Sequence, residues 1–198
     1  MKIKLAADLE TDSIVDGEGL RCVVWFQGCK HNCKGCHNPE THDMLGGFEI
    51  DIEELLEKIK SAKNQSGITL SGGDPLYQPD AALEILKFSK ENKLNTWVYT
   101  GFTFEEILNK SNTKEIYLDI LKNTDVLVDG MFIEHLKSLD TPYRGSSNQR
   151  ILDIKKSLRY KRPIIKKEYK WFFFYFAKNQ THVCILTGGG AWYYRFIK

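Results

Sequence analysis

Residues 20–36 read LRCVVWFQGCKHNCKGC. The first eight, rich in Val and aromatics, have the composition of a half-buried strand. Gly28 ends that strand, and a loop follows with Cys29, Cys33 and Cys36 in a C-x3-C-x2-C spacing. The rest of the chain repeats the scheme of strand, unusual turn, helix. Residues 51–63 set Ile52, Leu55, Leu56 and Ile59 at helical spacing. Residues 67–71 (GITLS) form a short strand that runs into Gly72, Gly73, Asp74 and Pro75, a strong breaker. Residues 80–91 give a second helix, and 94–100 (LNTWVYT) a third strand halted by Gly101. Short helices follow over 103–110 and 114–122, with Asn112 as a cap between them. Residues 125–128 (DVLV) form a fourth strand before Asp129 and Gly130, and 151–154 a fifth.

Strands alternating with amphipathic helices predict an α/β fold with a mainly parallel sheet. In such folds the loops after the strands' carboxyl ends gather on one face, which holds the site. The Cys loop, the Gly-Gly-Asp turn, Thr100 with Gly101, and Asp129 with Gly130 are therefore expected to converge.

At 198 residues the chain is one domain, or one domain with an appendage. Its 42% hydrophobic and 27% charged residues are the balance of a soluble globular protein. The longest apolar run, residues 171–177, is seven long, far short of the ~20 that span a membrane. The amino-terminal segment turns acidic at Asp8, Glu10 and Asp12 before any apolar stretch develops, so no secretory signal and a cytoplasmic location are expected. Charge divides the chain. Residues 1–154 carry 17 Lys and Arg against 25 Asp and Glu, whereas residues 155–198 carry 11 against 1. Residues 1–154 are accordingly read as the functional domain, and 155–198 as a basic, aromatic extension.

Three of the five cysteines lie within eight residues. An odd, tightly clustered count points to metal or redox chemistry rather than a disulfide framework. Three thiolates on one loop suit a four-iron cluster whose fourth iron stays open to an outside ligand. The alternative is a zinc site of three Cys with His31 or His37. Zinc loops usually supply two separated ligand pairs, and no second pair is present; Cys184 and His182 lie far along the chain.

Five stretches together resemble the radical S-adenosylmethionine enzymes and, within them, the activating proteins of anaerobic ribonucleoside-triphosphate reductases. They are residues 13–43 around the Cys loop, 69–76 (TLSGGDPL), 96–107 (TWVYTGFTFEEI), 125–133 (DVLVDGMFI) and 143–151 (YRGSSNQRI). The resemblance implies a partial, open (β/α) barrel with mainly parallel strands. It implies that Cys29, Cys33 and Cys36 hold one [4Fe-4S] cluster per chain. It implies that S-adenosylmethionine binds at the open iron, against Gly35, Cys36, His37, Gly72, Gly73 and Asp74. Reductive cleavage of that cofactor would give a 5′-deoxyadenosyl radical, which would take a hydrogen atom from a backbone glycine of the reductase large subunit. A flavodoxin- or ferredoxin-like protein would donate the electron. The wider superfamily has an aromatic before the third Cys. Gly35 stands there instead, leaving Tyr99 and Phe102 as candidates for packing the adenine.

The residue chemistry agrees with that expectation. Gly72 and Gly73 lack a Cβ, so backbone can approach a ligand closely. Asp74 offers a carboxylate to an ammonium group. Asp16, Glu18, Arg21, Asp129 and the polar stretch 143–150 lie beside the expected site, as functional groups or as ordinary turns. Cys22 alternates with apolar neighbours and reads as a buried structural thiol. His42 and His135 give no signal. Two rivals stand: an activase of another glycyl-radical enzyme such as pyruvate formate-lyase, and a zinc-stabilised nucleic-acid-binding module. The second would use the basic residues after 155 with the aromatics of 171–176 and 192–194. The first reading expects neither nucleic-acid nor membrane binding.

Overall fold

A computed structural model describes residues 1–138 and 141–166, together with the backbone of three short strands further on. The sheet is built on β3 (Arg21–Phe26), β5 (Gly67–Gly72), β6 (Asn95–Thr100) and β7 (Val126–Asp129). These four run parallel to one another, in that order. Antiparallel strands extend both edges. On one side lie β1 (Lys2–Leu5) and β4 (Phe48–Asp51), with β2 (Glu10–Ser13) also paired to β3; on the other lies β8 (Arg150–Asp153). The structure is thus a mixed α/β fold with a mostly parallel centre. Strands β1, β2 and β4 were not expected from the sequence.

Alternation along the strands separates two faces. Cys22, Val24 and Phe26 of β3, Ile68 and Leu70 of β5, Val98 of β6, Leu127 of β7 and Leu152 of β8 share one apolar cluster with the helices. Those helices are α1 (Ile52–Ser61), α2 (Pro79–Glu91), α3 (Phe104–Ser111), α4 (Ile116–Lys122) and α5 (Ile154–Tyr160). Burying such side chains stabilises the fold by about 1.5–3 kcal/mol each. Trp97, Val126, Val128 and Ile151, with Tyr99 and Tyr143, form a second cluster. They alternate with the first set, so they face the other way.

On this second face β3 and β5 contribute polar groups. Arg21 is fully buried there. It donates to Thr69 Oγ1 at 2.7 Å, to the Ile68 carbonyl at 2.6 Å and to the Asn95 carbonyl at 2.9 Å. Burial lowers its pKa to about 10, so at neutral pH it keeps its charge and the surrounding oxygens satisfy it.

The change in charge at residue 155 falls inside α5. Ile154 and Ser157 of that helix are buried, while Lys155 and Lys156 are exposed. The chain then returns along β8: the Asp153 N–H donates to the Ile164 carbonyl, and Lys166 N–H to the Ile151 carbonyl. Lys166 also pairs with Glu18. Further on, β9 (Phe172–Phe173), β10 (Val183–Thr187) and β11 (Gly190–Tyr194) form a three-stranded antiparallel sheet. The side chains read above as aromatic and basic features of residues 167–198 lie outside the described residues.

Candidate functional site

The four turns meet around a cavity of about 420 Å3 at the carboxyl ends of the parallel strands. From the loop after β3 it takes Cys29, His31, Cys33, Cys36 and His37; from the turn after β5, Gly72, Gly73 and Asp74. Tyr99 and Thr100 come from β6, Gly101 from the turn after it, and Gly130 from the turn after β7. Of the residues that the resemblance assigned to the cluster and the cofactor, Gly35 alone is absent from the wall. It is exposed, with φ 72°, and its missing Cβ faces the Glu134 carboxylate at 2.9 Å.

The cysteine loop is held from its base. The Gln27 side-chain amide donates to the Glu40 carbonyl at 3.2 Å and the Asp43 carbonyl at 2.7 Å. Gly28 N–H reaches the Thr41 carbonyl and Cys29 N–H the His42 carbonyl. The chain therefore leaves β3, makes its cysteine turn and is pinned on its return. Cys36 N–H closes a turn onto the Cys33 carbonyl, and Asn38 N–H points at the Cys36 sulfur, 3.5 Å away.

The four described cysteines are free thiols. Burial pushes Cys29 up to about 11, and a hydrogen bond from the His31 backbone N–H pulls against that shift. Burial also raises Cys33. Metal ligands must be thiolates, so loading this loop releases protons and is favoured by rising pH. Cys22 is fully buried and, chiefly through burial, raised to about 11, which fits its reading as a structural thiol.

The loop brings three cysteines to one cavity. Among the described residues no three His, Cys, Asp or Glu groups gather closely enough to hold one metal ion. A four-iron cluster binds each thiolate at a different iron, so its thiols stand apart around a cavity. His31, a possible zinc ligand by sequence, is engaged elsewhere.

Its partner is Asp74, which is 1% exposed. Asp74 Oδ1 accepts the Leu76 N–H at 2.9 Å. Its Oδ2 takes the Thr100 hydroxyl at 2.8 Å and the Gly101 N–H at 3.0 Å, and meets His31 Nε2 at 2.8 Å. The His31 ring and the Asp74 carboxyl group therefore form a hydrogen-bonded pair. Asp74, expected to face a ligand's ammonium group, thus gathers three loops while it lines the cavity. The glycines before it also have a packing reason. A Cβ on Gly72 would stand 2.6 Å from the Phe26 carbonyl oxygen, and one on Gly73 2.6 Å from that of Gly28. Gly72 additionally adopts φ 96°. These two positions let the turn lie flat against the exit of β3.

Asp129 is fully buried and does not line the cavity. It holds the Arg150 guanidinium, which also bridges to Glu105, and it accepts the Phe104 N–H that opens α3. Of the two adenine candidates, Tyr99 lines the cavity, whereas Phe102 packs edge-on against His31 with ring centroids 4.6 Å apart. Sequence reasoning missed His42, Trp25 and Phe132 on the wall, whereas the polar stretch 143–150 that it placed beside the site does reach it, through Tyr143, Arg144, Gly145 and Gln149. Trp25 and Tyr99 share the inward phase of their strands, a signal that alternation could have given; His42 reaches the cavity through a loop and left none.

The family described as a 4Fe-4S single cluster domain matches residues 15–152. The anaerobic ribonucleoside-triphosphate reductase-activating protein of Pasteurella multocida is 36% identical over 145 residues, covering 69% of this chain and 89% of that protein. The chain belongs to this family of activating proteins. Its Escherichia coli member is likewise 36% identical, over 69% of this chain and 90% of its own length. The pyruvate formate-lyase-activating enzyme of Clostridium pasteurianum is 40% identical over 126 residues. That match covers 61% of this chain and 49% of the relative, so the chain spans about half of that enzyme's length. The family match runs from Val15, on the cavity wall, to Leu152 in β8, and so contains each of the four converging turns.

Proposed function

We propose that this protein activates an anaerobic ribonucleoside-triphosphate reductase by generating a glycyl radical on its large subunit. The observation that carries the proposal is the convergence of Cys29, Cys33 and Cys36 with the Gly-Gly-Asp turn on one cavity. In this reading the three thiolates hold one [4Fe-4S] cluster and leave one iron for S-adenosylmethionine. When bound and reduced, the pair supplies a 5′-deoxyadenosyl radical that takes a hydrogen atom from a backbone glycine of the reductase. The chain's own residues position these groups. Gly72 and Gly73 form the flat wall that receives the cofactor, Asp74 fixes that wall to its neighbours, and Cys36 and His37 face it from the cysteine loop. Gly35 serves at one remove, through the turn that its positive φ permits. Of the two rings named for the adenine, Tyr99 is the one on the cavity wall.

The architecture supports a partial, open (β/α) barrel. Helices cover one face of the sheet and the site opens on the other, while a closed eight-unit barrel typically needs about 250 residues. An open side admits a loop of another protein. Residues 1–154 carry the functional domain, with the segment to 166 packed against it. Exposed Lys30 and Lys34 beside the cysteines suit an acidic flavodoxin- or ferredoxin-like donor. No described helix is long and apolar enough to cross a membrane.

A second reading, activation of pyruvate formate-lyase, draws on the 40% identity of the clostridial enzyme. Coverage favours the reductase, because the chain matches 89% of the Pasteurella protein and 49% of the clostridial one. The test incubates the reconstituted protein anaerobically with S-adenosylmethionine, a reductant and each candidate partner. A glycyl-radical resonance on the reductase large subunit supports the proposal. A radical on pyruvate formate-lyase alone, or none on either, refutes it.

A further inference from the structure

Between Cys29 and Cys33 the chain has three residues. Lys30 and Asn32 are exposed, and Asn32 takes the left-handed conformation with φ 49°. His31 turns inward, its side chain 10% exposed. Its ring is enclosed on several sides. Asp74 Oδ2 lies 2.8 Å from Nε2, Phe102 packs edge-on at 4.6 Å, and Tyr77 lies 5.7 Å away at a tilt. The absent side chain of Gly101 supplies the remaining space: a Cβ there would stand 2.5 Å from the ring. Gly101 is not among the residues with positive φ, so an alanine at this position is opposed by the His31 ring and not by the backbone.

From this geometry we infer that His31 is a positioning residue, the latch that seats the cysteine loop on the Gly-Gly-Asp wall and fixes Cys29 relative to Cys33. The inference rests on the cluster reading above and deepens it. Asp74 ties the latch to the turn after β5 and to the end of β6 through Thr100 and Gly101. The wall proposed for the cofactor and the loop proposed for the cluster then move as one body. Hydrogen bonding and solvent exposure at the sulfurs are controls on cluster potential, so a cysteine loop that loses its seat is expected to shift it. Partners that orient metal ligands from behind typically cost 10–100-fold in metal affinity when removed.

The test compares wild type, His31→Ala, His31→Gln, Gly101→Ala and the His31→Ala/Gly101→Ala double variant, each reconstituted anaerobically. The readouts are the rate of iron loss to a chelator and the midpoint potential of the cluster, with thermal unfolding recorded alongside. His31→Ala is expected to lose iron roughly tenfold faster than wild type and to shift the potential. His31→Gln, which keeps a side-chain N–H of similar reach, is expected to recover most of both. Gly101→Ala is expected to reproduce the His31→Ala loss by displacing the ring. In the double variant the methyl has no ring to meet, so the loss should be no worse than that of His31→Ala alone. Additive losses in the double variant overturn the latch, as does wild-type iron retention in His31→Ala. Should His31→Ala fail to fold, wild-type behaviour of a folded Gly101→Ala overturns it equally. A wild-type protein that takes up no iron–sulfur cluster would instead refute the parent reading, and the two failures are told apart by that control.

Discussion

Two aspartates sit at the carboxyl ends of parallel strands β5 and β7, which flank β6; both are essentially buried, and they do different work. Asp74 collects four donors, from Leu76, His31, Thr100 and Gly101, and lies on the cavity wall. Asp129 collects the Arg150 guanidinium and the Phe104 N–H, away from the cavity. One joins loops that carry the site; the other locks an antiparallel edge strand and starts a helix. An Asp after a strand in an α/β sequence does not announce which of these it is. The difference lies in the donors that the rest of the chain brings to it.

That contrast can be broken or sharpened by substitution. The largest effect is expected where the Asp74 side leads. Cys29→Ala, Cys33→Ala and Cys36→Ala should each abolish cleavage of S-adenosylmethionine, read as methionine release, while the apo proteins unfold near the wild-type temperature. Cleavage retained in any one of them would remove that cysteine from the ligand set. Next comes Asp129→Ala. It leaves Arg150 with Glu105 as its remaining partner, and breaking a buried pair costs about 3–5 kcal/mol. Because the Arg150 side chain is 29% exposed, about 3 kcal/mol, the low end, is expected by denaturant unfolding. The reconstituted cluster spectrum should be unchanged.

Asp74→Asn should behave in the opposite way. Its stability loss is expected to be smaller, about 1–3 kcal/mol for the donors left unmatched. Iron retention should fall on the order of tenfold. If Asp129→Ala damages the cluster and Asp74→Asn does not, the division of labour between the two is wrong. The smallest effect is expected from removing residues 171–198, which should leave iron content and cofactor cleavage at wild-type levels. Loss of both in a folded truncation would place those residues in the working part of the protein.

Much of this architecture could be read from the sequence because it is written in local patterns. The strands over 67–72 and 95–100 are apolar runs stopped by glycine, and α1 shows its buried stripe at helical spacing. Strands β1, β2 and β4 are four residues each. Glu10–Ser13 is almost wholly polar, with Asp12 at φ 64°. Such short strands are stabilised by pairing partners rather than by their own composition. Helix α5 was concealed by charge: Lys155 and Lys156 are its solvent face, and the buried Ile154 and Ser157 carry its packing. The cysteine spacing was legible, being a signal within eight residues. The Asp74 network was not, because it joins residues 26 and 43 positions away.

The most direct measurement is iron content with electron paramagnetic resonance of the reduced, anaerobically reconstituted protein, with and without S-adenosylmethionine. The account predicts about four irons per chain, as for one [4Fe-4S] cluster, and a reduced-cluster signal that changes when the cofactor is added. One zinc per chain, or a cluster signal indifferent to S-adenosylmethionine, would contradict it.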